Sequence, residues 1–238
     1  MKLSAVHPDE VLKTINELSN SSAFGMDEID TYIIKLIRDE ITPAITHIIN
    51  LSLSNGEFPD AWKVSKVVPL YKKDDVLNLN NYRPIAIIPI MSKILERAMY
   101  NQLIKHFSEN ALLNPSHHAY RKNHSTATAM IELLDSWVQG VDSHQMVGVC
   151  FLDMSAAFDC VDHGILLQKL SLYGCSETLN KWFSSYLSGR RQGVCINGTM
   201  SKLLPVVTGV PQGSILGPLL YTIYTNELPE VISGSHEP

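Results

Sequence analysis

Paired cysteines are missing from this 238-residue chain: Cys150, Cys160, Cys175 and Cys195 form no Cys-x-x-Cys. They read as free thiols of a reducing compartment, and their spacing argues against a structural zinc site. Long apolar runs are missing too. The longest, Ile85 to Met91, contains Pro89 and is far too short to cross a bilayer, so no membrane segment is expected. Met1-Lys2 leads into a charged amphipathic stretch rather than an apolar signal region. The expectation is an intracellular protein, cytoplasmic and/or nuclear, and not secreted. No Gly-Lys-Ser/Thr phosphate loop, dinucleotide-type glycine fingerprint or His-Glu-x-x-His is present. Positive charge is also in deficit, with a net of −5, which at first argues against a nucleic-acid partner.

The distribution of that charge changes the picture. Residues 1–59 hold 4 Lys/Arg against 9 Asp/Glu, residues 60–122 hold 10 against 5, and residues 123–238 hold 5 against 10. A basic centre between acidic flanks can carry a phosphate-binding face inside an acidic total. The composition, 45% hydrophobic and 18% charged, is that of a globular chain with a sizeable core.

His7-Pro8-Asp9 opens a helix with Val11, Leu12, Ile15 and Leu18 on one face, closed by Ser19 to Ser22. A second helix carries Ile29, Ile33, Ile34 and Ile37, and a third is predicted from Thr42-Pro43 to Asn55-Gly56. Val64 to Tyr71 reads as a strand and Ile85 to Ile88 as a short apolar run. Helices are predicted over Met91–Phe107, Ser125–Gln139, Gly164–Tyr173 and Glu177–Leu187, with a last one starting near Leu219. Met146 to Leu152 reads as a buried central strand ending at Asp153. Arg191 to Val207 is a predicted hairpin around Asn197-Gly198. Helices around a few mixed strands make the fold class α+β.

Chemistry concentrates in three stretches. In Phe151 to Asp159 an apolar strand delivers Asp153, a common way to bring a carboxylate to a divalent metal; the plainer alternative is a strand end followed by an Asp162 N-cap. Gly209 to Pro218 is punctuated by glycine and proline, so its backbone can approach a ligand closely, and Gln212 adds an amide; a structural turn is the alternative. Lys63, Lys66, Lys72, Lys73, Arg83, Arg121 and Lys122 interleave with Trp62, Tyr71, Tyr82 and Tyr120, a mix suited to phosphates and bases. His117, His118 and His124 have no second ligand pair at zinc spacing and read as loop residues.

In order, Gly25-Met26-Asp27, Phe58 to Lys63, Asn81 to Ile85, Ser92 to Glu96, Arg121 with Ser125-Thr126, Phe151 to His163 and Gly209 to Pro218 cover nearly the whole chain. This ordered set resembles the reverse transcriptase domain of non-LTR (LINE-type, jockey/CR1-like) retrotransposons. The resemblance implies a right-hand polymerase: an acidic helical N-terminal extension over 1–59, a fingers-like region over 60–145 and a partial palm with a fingers-return segment over 146–238. It implies Asp153 as the catalytic, metal-binding aspartate, with the Met154 carbonyl beside it and Mg²⁺ as cofactor. It implies Phe158 as the aromatic under the sugar, Gln212 and Gly213 as nucleotide contacts, and Arg83 and Arg121 as triphosphate or template contacts. Lys63, Lys66, Lys72, Lys73 and Lys122 are the expected nucleic-acid contacts. The implied partners are an RNA template, a DNA primer and dNTPs.

The family's Tyr-Ala-Asp-Asp motif, which follows the Pro-Gln-Gly loop and its helix, does not occur in residues 1–238. Two-metal chemistry needs carboxylates on facing strands. The expectation is therefore a fragment, cut before that motif and inactive alone. Its alternatives are a non-catalytic RNA- or RNP-binding remnant and a pseudogene fragment. A smaller departure is His118-Ala119-Tyr120-Arg121, where the family usually has Gly-Phe-Arg.

Overall fold

The computed structural model describes residues 1–20 and 23–232. Ser21 and Ser22, read above as part of a helix stop, lie outside the described residues. Helix α1 (Pro8–Glu17) starts with a capping box: Glu10 Oε1 accepts from His7 N–H at 3.1 Å, and the His7 ring accepts from Asp9 N–H. Its Val11 and Ile15 are buried. Just before it, Asn50 clasps Val6 through two amide hydrogen bonds of 2.7 and 3.0 Å, which ties the N-terminal stretch to the third helix.

Helices α2 (Thr31–Leu36) and α3 (Arg38–Asn55) are nearly continuous, broken only where Ile37 turns to φ −105°, ψ 20°. The expected start of α3 at Thr42-Pro43 is corrected: the helix begins at Arg38 and Pro43 sits inside it. Pro43 lacks the N–H that would reach the Asp39 carbonyl, so the helix runs one bond short near its N-terminal end. Ile37 is the cap that both helices share, and its carbonyl accepts the first bond of α3, from Ile41 N–H at 3.0 Å. At the far end Gly56 adopts φ +66° and stops the helix.

Strand β1 (Val64–Tyr71) matches its predicted bounds and pairs antiparallel with β2 (Tyr82–Ile87), Lys66 opposite Ile87 and Tyr71 opposite Tyr82. On its other side β1 runs parallel to β3 (Arg191–Ile196). Asn197 and Gly198, with φ +49° and +79°, turn β3 into β4 (Thr199–Met200), as the Asn-Gly pair predicts. A short β5 (Leu204–Pro205) continues along β3.

Around this sheet lie α4 (Ile90–Glu109), α5 (Thr126–Asp142), α6 (His163–Leu172), α7 (Glu177–Leu187), α8 (Gly217–Tyr224) and α9 (Leu228–Ile232). The architecture is mixed α and β, as expected. One hydrophobic core joins Ile15, Ile49, Leu95, Met99, Leu103, Phe107, Leu166, Trp182 and Tyr186. Helices α1 and α3 of the acidic N-terminal stretch thus share a core with α4 and α7. Trp182 and Tyr186 stack with 4° between their planes, Phe58 meets both edge-on, and Trp182 Nε1 donates to Ser52 Oγ at 3.0 Å.

The expectation of a buried strand at Met146–Leu152 is corrected. That stretch joins no ladder and is exposed, Phe151 at 77% and Leu152 at 70%. Helix α5 just before it buries no residue. A strand is buried only by neighbours on its edges and faces, and the described residues supply none here.

Candidate functional site

Two of the three chemistry-bearing stretches pack on each other, and Tyr120 of the third reaches them. The turn after Asp153 ends in Phe158, whose ring stacks on Tyr221 of α8 at 5.0 Å with 27° between planes. Tyr120 meets the same ring edge-on at 6.2 Å, and the Tyr221 hydroxyl donates to Met154 Sδ at 3.4 Å. Burial pushes the Tyr221 phenol above its ordinary value. Asp153, Met154, Ala157, Tyr120, Tyr221 and His117 share the wall of a cavity of about 350 Å³. Asn226 positions the loop that carries Tyr120: its Oδ1 accepts from Asn114 N–H at 2.9 Å and its Nδ2 donates to Leu112 O at 2.8 Å.

The Gly/Pro loop is pinned against that turn. Gly209 N–H donates to Val161 O and Val210 N–H to Phe158 O, both at 2.8 Å. Gly209 has φ +82°, and a Cβ there would lie 2.7 Å from Asp159 Cα, so only glycine fits. On its other side the loop caps β2: Ala86 N–H donates to Gln212 O at 2.7 Å. Gly213, at φ +122°, passes so close that a Cβ would sit 2.4 Å from Ala86 O. The Gln212 side chain donates through Nε2 to both Asp159 oxygens, at 3.2 and 3.0 Å.

A buried carboxylate holds the loop from beneath. Glu96 of α4 has no exposed surface, accepts Ile215 N–H at 2.7 Å and Leu216 N–H at 3.4 Å through Oε2, and accepts Ser92 Oγ through Oε1. Burial raises its pKa, against the opposing pull of the Arg190 charge and these donors. Arg190 is buried as well. Its Nε donates to Tyr186 O at 2.6 Å and its guanidinium lies 4.2 Å over the Tyr186 ring. Neither Glu96 nor Arg190 was singled out as a functional candidate in the sequence. For Glu96 a signal exists: a carboxylate flanked by the inward positions Ile94, Leu95, Ala98 and Met99.

Residues 70–237 match the family described as reverse transcriptase (RNA-dependent DNA polymerase). The chain belongs to this family. Curated relatives include the RNA-directed DNA polymerase from mobile element jockey of Drosophila melanogaster, 30% identical over 231 residues. The probable RNA-directed DNA polymerase from transposon X-element of the same organism is 29% identical over 235 residues. These alignments take in 96% and 97% of this chain but 25% of each relative, so the chain spans about a quarter of their length. Among solved structures, a partial Cas6-RT-Cas1–Cas2 complex aligns with a TM-score of 0.49 and 20% identity, over 95% of this chain and 33% of that one.

In this reverse transcriptase-family chain the expected basic contacts divide into two groups. Lys72, Lys73, Arg83 and Lys122 are exposed, the first three on β2 or the loop that joins it to β1. Lys66 is half-buried, its ammonium 4.3 Å over the Phe24 ring. Lys63 and Arg121 turn inward instead. Lys63 is 5% exposed and pairs with Asp60 at 2.8 Å, which holds the Asp60 carboxyl below its ordinary value. Arg121 Nη1 donates to the carbonyls of Asn114, Pro115 and His117 at 2.9, 3.2 and 3.0 Å, tying its own loop.

Among the described residues no group of three or more His, Cys, Asp or Glu side chains is placed to hold a metal ion. Asp153 with Met154 is a one-carboxylate arrangement and does not by itself fit a divalent-metal pair. No helix among the described residues is long and apolar enough to cross a membrane.

Proposed function

We propose that these residues are the fingers and part of the palm of a non-LTR retrotransposon reverse transcriptase, which copies an RNA template onto a DNA primer from dNTPs. The observation that carries the reading is the double docking of the Gly209–Gly217 loop, on the Phe158–Val161 turn and on β2. That docking sets Gln212 against Asp159, next to Phe158, and Gly213 against Ala86 of β2, the strand that carries Arg83. Their chemistry suits a nucleotide: an aromatic face for the sugar, an amide and a close backbone for the body, a guanidinium for phosphate. Lys66, Lys72, Lys73 and Lys122 are the proposed backbone contacts to template and primer. Lys63 and Arg121 serve the site by bracing its loops.

Residues 1–59 are the helical extension of this arrangement, 60–145 its fingers and 146–238 its partial palm. Reverse transcription runs on divalent metal ions, Mg²⁺ in this reading. Asp153 and Met154 supply one side of that site, and a longer protein supplies the remaining carboxylates on a strand that pairs beside Met146–Leu152.

The test is RNA-templated primer extension by a longer protein in which these 238 residues continue into a Tyr-Ala-Asp-Asp segment. Such a protein extends the primer, and Asp153→Ala lowers the rate about a thousandfold, the size of several kcal/mol of lost charge stabilisation. Extension untouched by Asp153→Ala refutes the assignment. A second reading, RNA binding without catalysis, draws on the exposure of Lys72, Lys73 and Arg83 together on the β1–β2 hairpin.

A further inference from the structure

Asp159 and Gln212 are 53 positions apart in the chain, yet Gln212 Nε2 lies 3.0 Å from one Asp159 oxygen and 3.2 Å from the other. A carboxylate offers only acceptors, so it selects the NH₂ end of the amide over the carbonyl end. Both backbones are held. Gln212 O accepts Ala86 N–H at 2.7 Å, while Asp159 N–H donates to Ala156 O at 2.9 Å. The backbone of Asp159 also packs so tightly on Gly209 that no Cβ fits between them. The amide therefore has one orientation, and Gln212 Oε1 has no hydrogen-bond partner among the described residues. Asp159 and Gln212 form part of the wall of a cavity of about 320 Å³, with Ser65, Ala86 and Thr208.

We infer that Asp159 is a positioning residue: it fixes the Gln212 amide so that the carbonyl oxygen is the group offered to a ligand. A nucleotide then meets Gln212 with an N–H or O–H donor, not with a phosphate oxygen. The inference rests on the nucleotide-site reading above. It adds to that reading a residue that acts through another and the polarity of the contact.

Two readouts on the 238-residue chain test it. The Gln212 side-chain amide resonances, identified by their loss in Gln212→Ala, shift in Asp159→Ala and stay in place in the control Asp135→Ala. Titration with dTTP and Mg²⁺ then weakens about tenfold in Asp159→Ala and equally in Gln212→Ala, with no further loss in the double variant. Asp159→Asn, which keeps an acceptor, retains part of the affinity. An amide that ignores Asp159→Ala overturns the inference, as do fully additive losses in the double variant. No nucleotide response in the unaltered chain counts against the proposed function instead, and the amide shift then decides the pairing alone.

Discussion

Glu96 is a fully buried carboxylate with two backbone donors, one hydroxyl and an arginine in its surroundings. Burial raises its pKa, so the folded chain holds this proton more tightly than the unfolded chain does. Stability from this group is therefore fully present below the ordinary value of 4.5 and is lost as pH rises towards the raised folded value. Glu96→Gln keeps an acceptor for Ile215 N–H and removes the titration. The expected result is a flatter dependence of the urea midpoint on pH above that value. Unchanged pH dependence in the variant would remove Glu96 from this role. Gly213 shows the same economy of space: with φ +122° and Ala86 O in the way of any Cβ, the loop can lie on β2 only as glycine.

At the scale of elements, the β1–β2 hairpin and the α5–Leu152 stretch present opposite surfaces. The hairpin and its loop expose Lys72, Lys73 and Arg83, and RNA held there should release counterions. Lys72→Glu with Lys73→Glu is expected to weaken RNA binding and to flatten its salt dependence by about 0.7 log units per lost phosphate contact. Binding measured across a salt series checks this, and an unchanged slope counts against the hairpin as the contact. The α5–Leu152 stretch instead exposes Ile131, Val138, Val141, Met146, Phe151 and Leu152. Replacing Phe151 and Leu152 with lysine should change the unfolding free energy, read from urea titration, by no more than about 0.5 kcal/mol each. Light scattering at high concentration should fall, because an exposed apolar patch invites association. A large loss of stability would mean that these side chains pack in the folded chain. Elements that depend on local signals were legible in the sequence: β1 in its β-branched run, the β3–β4 turn in Asn197-Gly198, and α5 in its Ser125 cap. The start of α3 was not, because a proline normally marks a helix start and here Ile37, with no signal of its own, makes the break.

Across the whole molecule, legibility failed where an outcome depended on distant partners. Met146–Leu152 has the composition of a buried strand, but composition cannot supply the neighbours that would bury it. Lys63 and Arg121 have the look of surface cations, yet Lys63 is buried and pairs with Asp60, and Arg121 ties three loop carbonyls. The candidate site was legible as a set of stretches because each carries its own glycines, aromatics and carboxylates. Their meeting point was not, since Gly209 and Gly213 find their partners in Asp159 and Ala86 only in the fold. Under the proposed function the chain is a polymerase portion that brings one catalytic carboxylate, Asp153, and only part of the metal site. The most direct measurement is primer extension by purified residues 1–238 alone, with RNA template, DNA primer, dNTPs and Mg²⁺. The expected result is no extension above that of an Asp153→Ala control. Template-dependent extension that disappears in Asp153→Ala would mean that residues 1–238 complete the metal site on their own, against the proposed function.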